Sequence, residues 1–274
     1  MDKTLYVSDL DGTLLSSRQE ISDYTAAVVN HLVKRGMLFS YATARSRYTA
    51  FPVTKKLTVE IPVIVHNGTF ILDSRTGNHL YANYFTQDGF AQVFRLLTGH
   101  QISPIVYAYI DGAEKFSYLP SQVNSETERF IATRRGDGRE RPVGSLSELC
   151  EGRHFYFTCI DSAEKLGPVY EELRGKYACV YQRDIYSGDQ WLEIMAPGTS
   201  KANAILQLKE RYGVERVISF GDGKNDLPMF HLSDECYAVE NADPQLKAIA
   251  TGVIGSNDSD GVARWLLSHV QLPE

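Results

Sequence analysis

The chain has 274 residues, 43% of them hydrophobic, enough for a sizeable core and for two domains or one large α/β domain with an insertion. A wholly disordered chain is excluded on that composition. Basic residues number 28 and acidic ones 34, a net charge of −6, which argues against general nucleic-acid binding because that needs a basic face.

Leu5-Tyr6-Val7 is a short apolar run that ends in Asp9-Leu10-Asp11-Gly12-Thr13, the pattern of a strand entering a turn. A helix is expected from about Ser22, as N-cap, to Arg35, with Gly36 as its stop. Val28, Val29, Leu32 and Val33 give it one apolar face. Leu38 to Ala42 reads as a second strand, ending in Thr43-Ala44-Arg45-Ser46, and Pro62 to Val65 as a third, ending in His66-Asn67-Gly68. Strand, helix, strand is the grammar of a parallel sheet.

From about Tyr84 to Gln190 the pattern changes to helical stretches between alternating aromatic strands, among them Ile105 to Ile110, His154 to Ile160 and Tyr177 to Gln182. Arg134 to Pro142 is the best loop candidate. Its Arg134, Arg135, Arg139 and Arg141 alternate with Asp137 and Glu140, so a solvated loop is expected rather than an anion-steering patch. The parallel-sheet grammar then returns. Lys201 to Tyr212 is a helix closed by Gly213, and Val217 to Phe220 is a strand ending in Gly221-Asp222-Gly223-Lys224-Asn225-Asp226. Asp243-Pro244 opens another helix as N-cap and first residue. The division expected is a discontinuous core of residues 1–83 and 190–274 with an α+β domain inserted at 84–189.

Cys150, Cys159, Cys179 and Cys236 form no C-x-x-C pair, so a zinc ribbon or redox motif is not expected. No apolar run approaches the ~18 residues of a membrane span, and the first residues have no apolar h-region. The expectation is a reduced cytoplasmic protein, with no membrane and no nucleic acid among its partners. The sequons at Asn67 and Asn257 are taken as chance, and the 7 histidines as packing or surface groups.

Ligands of open α/β sheets bind beyond the carboxyl ends of the strands. There the chain offers Asp9 and Asp11, then Thr43 and Arg45, then Asp222, Asn225 and Asp226. Carboxylates converging in one place repel unless a cation sits between them. Hard oxygen donors with room for water and phosphate suit Mg²⁺. With a cation such as Lys201 nearby, this is the equipment of phosphoryl transfer. Arg45 is read equally as an ion-pair partner that holds its loop or as a phosphate contact, and Asn67 as a turn residue or a site residue.

The run Asp9-Leu10-Asp11-Gly12-Thr13-Leu14-Leu15 resembles the first motif of the haloacid dehalogenase-like phosphatases. Thr43 in Ala42-Thr43-Ala44-Arg45 is similar to their second motif, Lys201 to their third and Gly221 to Asp226 to their fourth. The spacing resembles the Cof-type sugar-phosphatase branch, in which a large cap is inserted between the second and third motifs. His66-Asn67-Gly68 is similar to that branch's Asn-Gly strand end. Ala44 stands where relatives often have Gly, which serves if only a backbone N–H is needed and φ stays negative.

The resemblance implies a Rossmann-like parallel-sheet core with an inserted α+β cap that selects the substrate. It implies Asp9 as nucleophile and Asp11 as general acid and base. Mg²⁺ would be held by Asp9, the Asp11 backbone carbonyl and Asp222, with Asp226 in support. Thr43, the Ala44 N–H, Lys201 and Asn225 would hold the phosphoryl group. The substrate implied is a small phosphorylated metabolite, a sugar phosphate first, and the protein a monomer or small homo-oligomer. Two rival readings use the same residues: a phosphomutase or other phosphotransferase, and a phosphate-binding regulator that does not turn over. G-x-S-x-G and G-x-x-x-x-G-K-[ST] are absent, which removes serine-hydrolase and P-loop templates.

Overall fold

The computed structural model describes residues 3–183 and 187–271. The chain divides into two compact units, Met1–Ala82 with Thr199–Glu274, and Asn83–Gly198.

The first unit is built on a five-stranded parallel sheet, ordered Gly252–Ile254, Glu235–Val239, Arg216–Gly221, Thr4–Ser8, Leu38–Tyr41. Leu5, Val7, Phe39, Val217, Phe220 and Ala238 are buried along it, as a sheet covered on both faces requires. Helices return the chain between parallel strands. Asp23–Lys34 starts where the Ser22 hydroxyl accepts from Thr25 N, and buries Val28, Val29, Leu32 and Val33. Lys201–Tyr212 starts where the Ser200 hydroxyl accepts from Asn203 N, and stops at Gly213 in the left-handed region. The Asp243 carboxylate accepts from Gln245 N at the head of Pro244–Ile249.

Val63–Val65 departs from the expected third strand. It meets the edge of the parallel sheet at the bridge Ala42–Ile64, where Thr43 N donates to the Ile64 carbonyl at 3.0 Å. Its ladder is instead an antiparallel sheet of its own with Phe70–Leu72 and His79–Ala82. Three positive φ values in succession, at His66, Asn67 and Gly68, turn the chain back so that Phe70 pairs with Val65.

The second unit holds a six-stranded sheet, ordered Ala178–Arg183, Gln190–Met195, Arg153–Ile160, Ile105–Ile110, Ala113–Tyr118, Glu140–Pro142. One face carries Val106, Phe157, Cys159, Leu192 and Ile194. They form a core with Phe90, Val93 and Leu97 of helix Gln87–Gly99 and with Leu166, Val169 and Leu173 of helix Ala163–Leu173. Gln190–Met195 is paired on both sides, to Ala178–Arg183 and to Arg153–Ile160, so this unit runs to Gly198 and not to 189.

The segment Arg134–Pro142 is a turn with Arg135, Gly136 and Gly138 exposed, as its charges suggest, except at Arg139 and at its last three residues. Arg139 is buried, with Nη1 2.6 Å from Glu114 Oε1 and Nη2 2.6 Å from Asp137 Oδ2. Glu140–Pro142 pairs in parallel with Phe116–Tyr118, and Arg141 donates to the Glu148 carbonyl. Of the charged residues in this segment Arg139 is the buried one, and its buried partner Glu114 comes from another strand.

Candidate active site

The sheet delivers its polar residues to one end. Asp9 follows Thr4–Ser8, and its N–H donates to the Phe220 carbonyl of the neighbouring strand at 2.9 Å. Thr43 follows Leu38–Tyr41 and its bridge residue Ala42. Asp222 follows Arg216–Gly221. These strands are adjacent in the sheet, so all three residues leave it side by side.

Lys201 binds the cluster together. Its side chain is fully buried, and Nζ lies 2.5 Å from Asp9 Oδ1 and 2.6 Å from Asp226 Oδ1. A cation at the first position of a helix is unfavourable to the helix dipole; two carboxylates outweigh that. Burial works against the charged ammonium, yet Asp226 and Asp9 hold the Lys201 pKa above its ordinary value. Asp226 is consumed in this framework. Its Oδ2 accepts from the N–H groups of Asp222 and Gly223, at 3.0 Å each. Gly221 makes room for it, since a Cβ there would stand 2.7 Å from Asp226 Oδ2.

Asp9 and Asp222 carry the unresolved charge. Desolvation pushes the Asp9 pKa well above the usual carboxylate range; Lys201 opposes this, and Asp226, Asp222 and Asp11 add to it. Desolvation and then Asp226 push Asp222 up to about 7, against hydrogen bonds from Thr13 and Asp9 and the pull of Lys201. The Thr13 hydroxyl donates to Asp222 Oδ1 at 2.9 Å. Gly12 has φ +73, and a Cβ there would stand 2.3 Å from Asp222 Oδ2, so the turn after Asp11 admits this carboxylate only because residue 12 has no side chain.

Asp11 belongs to a second ion pair. Arg45 holds both its oxygens, Nε to Oδ2 at 2.7 Å and Nη2 to Oδ1 at 2.6 Å, and the same Nη2 donates to Gln19 Oε1 at 2.7 Å. Of the two readings of Arg45, the structure displays the ion pair. The Arg45 N–H donates to Thr43 Oγ1 at 3.1 Å. Ala44 lies in a bend with negative φ, so no glycine is required there. The turn His66–Gly68 backs this loop: His66 N donates to the Arg45 carbonyl and Asn67 N to the Thr43 carbonyl, both at 2.9 Å. Asn225 Nδ2 donates to Asn67 Oδ1 at 3.2 Å. Gly68 lies against the start of the Lys201 helix, where a Cβ would stand 2.2 Å from the Ser200 carbonyl oxygen.

The candidate residues thus form three linked groups: Asp9, Lys201, Asp226 and Asp222; Asp11 with Arg45; and Thr43, Asn67 and Asn225. Sequence reading gave no role to Thr13, Gln19 or Asn241. Thr13 stands inside the first polar run. Asn241 follows the strand Glu235–Val239, so the strand-end rule that found the others reaches it too. Gln19 carries no signal in the sequence.

Carboxylate oxygens of Asp9, Asp222 and Asp226 approach within 4.8 Å of one another, an arrangement able to hold a metal ion. The donors are all hard oxygens, and desolvation together with the neighbouring carboxylates raises both Asp9 and Asp222 above the ordinary range. A divalent cation fits that arrangement. Asp226 is committed through both oxygens to Lys201 and two N–H groups, whereas Lys201 meets Asp9 through Oδ1 and Thr13 meets Asp222 through Oδ1.

Residues 6–266 match the family of haloacid dehalogenase-like hydrolases. The chain belongs to that family. Among curated relatives, the pyridoxal phosphate phosphatase YbhA of Escherichia coli is 25% identical over 276 residues, covering 96% of this chain and 97% of that one. The chloroplastic endoribonuclease YBEY of Arabidopsis thaliana is 28% identical over 270 residues; the match covers 93% of this chain but only 44% of that protein. A haloacid dehalogenase-like hydrolase from Bacteroides thetaiotaomicron has the same fold, with a TM-score of 0.79, 24% identity, and coverage of 98% of this chain and 100% of that one. No helix among the described residues is long and apolar enough to cross a membrane.

Proposed function

We propose that this chain is a Mg²⁺-dependent phosphatase that hydrolyses small phosphomonoesters through a phosphoryl group carried on Asp9. The observation that carries the reading is the buried Lys201 bridging Asp9 and Asp226 beside a second carboxylate, Asp222, raised to about 7. A nucleophilic carboxylate, a fixed cation and a carboxylate cluster able to hold a divalent cation are the parts a phosphoryl group needs. The similarity to a pyridoxal phosphate phosphatase supports a small phosphorylated metabolite as substrate, with sugar phosphates the first class to test. Substrate choice is assigned to the second unit.

In this reading the Lys201 ammonium, the Thr43 hydroxyl, the Ala44 N–H and the Asn225 amide bind the phosphoryl oxygens. Asp9 attacks phosphorus, an Asp9–phosphorus bond forms, and the bond to the ester oxygen breaks. Asp11 gives its proton to the departing oxygen. In the second step Asp11 takes a proton from water, the water oxygen bonds to phosphorus, and Asp9 is released with inorganic phosphate. Bound Mg²⁺, held by Asp9, Asp222 and the Asp11 backbone carbonyl, would neutralise charge on the phosphoryl oxygens. Both Asp11 oxygens are engaged by Arg45, so Asp11 leaves Arg45 and takes up a proton from solvent before it serves the departing oxygen.

The test is phosphate release by the pure protein from a panel of sugar phosphates, pyridoxal phosphate, nucleotides and an aryl phosphate, with Mg²⁺ and with chelator. Mg²⁺-dependent release that is abolished in Asp9→Asn and strongly slowed in Asp11→Asn is expected. Transfer to an added alcohol or sugar without release would make the protein a phosphotransferase. A stable phosphate on Asp9 with no turnover would make it a regulator.

A further inference from the structure

The segment Asn241–Asp243 grips both halves of the carboxylate cluster at once. Asn241 Nδ2 donates to the Gly12 carbonyl at 2.7 Å, inside the turn that separates Asp11 from Thr13. Asp243 N donates to the Asp222 carbonyl at 2.8 Å. The segment follows Glu235–Val239, which pairs with Arg216–Gly221, the strand that carries Asp222. Its register is therefore fixed by the sheet. Asn241 is in turn anchored from outside, because its Oδ1 accepts from Asn257 N at 3.1 Å, and Asn257 Nδ2 donates to the Leu15 carbonyl at 3.0 Å. The turn Leu10–Leu14 is thus held at Gly12 by Asn241 and just past its end by Asn257.

What is held there matters for chemistry. Gly12 sits at φ +73, and Asp222 lies where its Cβ would be. The Gly12 carbonyl that Asn241 holds belongs to the peptide leading to Thr13, whose hydroxyl donates to Asp222 Oδ1 at 2.9 Å, while on its other side Gly12 is bonded directly to Asp11.

We propose that Asn241 is a positioning residue: by pinning the Gly12 carbonyl it holds Asp11 and Asp222 in register with Asp9. The proposal deepens the phosphatase reading and rests on it for its kinetic arm. Asn241 touches no reacting atom; it acts through Gly12.

Asn241→Ala removes both hydrogen bonds. Asn241→Asp keeps the shape and the acceptor for Asn257 N and removes the donor to Gly12, so it carries the test if the alanine variant folds poorly. Each is expected to lower kcat about five- to tenfold, the size of one lost hydrogen bond expressed in the transition state, with KM changed less than about twofold. A second readout is independent of turnover. Saturating Mg²⁺ should raise the unfolding midpoint of metal-free wild type, and that rise should shrink in both variants. Asn257→Ala, which frees Leu15 and leaves Asn257 N in place, is the control, expected to lower the midpoint while kcat stays at the wild-type value. Unchanged kcat with an unchanged Mg²⁺-induced rise would overturn the proposal. So would an equal loss of kcat in Asn257→Ala, because the segment would then be a plain structural clamp. If wild type releases no phosphate from any ester, the phosphatase reading falls, and the Mg²⁺-induced rise alone decides the role of Asn241.

Discussion

Gly12 and Asp222 stand so close that a Cβ on residue 12 would lie 2.3 Å from Asp222 Oδ2. Gly12→Ala therefore meets two obstacles. The left-handed φ costs an L-residue about 1–2 kcal/mol, and Asp222 must retreat by more than an ångström. Displacements of that size cost about a hundredfold in rate at a catalytic centre. Phosphate release should fall by about that factor, with stability reduced only modestly. Full activity in Gly12→Ala would show that the position of Asp222 has no bearing on the chemistry.

Lys201 bridges two buried carboxylates from a fully buried site. Lys201→Met leaves Asp9 and Asp226 facing each other. Losing one partner of a buried pair costs about 3–5 kcal/mol, and the denaturation midpoint should drop accordingly. Activity should vanish. Lys201→Arg should not restore it, because a planar fork cannot occupy the place of a compact ammonium. A Lys201→Met protein of wild-type stability would refute the buried bridge.

The metal-free protein should show an inverted pH response in its first unit. Asp222 titrates near 7 when folded, against 3.8 for an ordinary aspartate. Between those values the folded state holds more protons than the unfolded one, so this group's contribution is full at low pH and is lost as pH rises toward 7. Asp222→Asn should make that fall shallower, with the part due to Asp9 remaining, and Mg²⁺ should offset it in wild type. Midpoints measured from pH 4.5 to 7.5 in chelator, wild type against variant, read the difference directly. Parallel curves would refute the raised Asp222.

In the second unit, Glu114 and Arg139 form a buried pair 2.6 Å apart. Arg139→Met takes the Arg139 cation away from buried Glu114 and should destabilise by about 3–5 kcal/mol, whereas the double variant Glu114→Leu with Arg139→Met should recover most of that loss. Urea titration of the two proteins distinguishes the outcomes. A double variant as unstable as the single would mean that the pair contributes through packing alone.

Elements governed by local rules could be read from the sequence. Ser22, Gly36, Ser200 and Gly213 start and stop helices by backbone hydrogen bonding and φ freedom, and those rules act within a few residues. Polar residues at parallel strand ends announced the candidate site for the same reason. Features set by distant pairing stayed hidden. Val63–Val65 looks like any apolar strand until Phe70–Leu72 claims its hydrogen bonds. Gln190–Met195 needed two partners from the second unit to reveal its membership. Arg139 looked solvated because its buried partner Glu114 lies on another strand, and Gln19 became relevant only when Arg45 reached it.

The central strand pair of the first unit, Thr4–Ser8 with Arg216–Gly221, also imposes an order on biosynthesis. Asn83–Gly198 is an unbroken stretch with its own core, so it can fold as it emerges from the ribosome. Thr4–Ser8 cannot complete its pairing then, because its partner has not been translated. At 5–20 residues per second the wait for some two hundred residues is roughly 10–40 s. Through that interval one side of an apolar strand stays open, and Asp9 has no Lys201. A nascent chain arrested before residue 221 would therefore carry a complete second unit and a first unit whose central strand pair is unfinished.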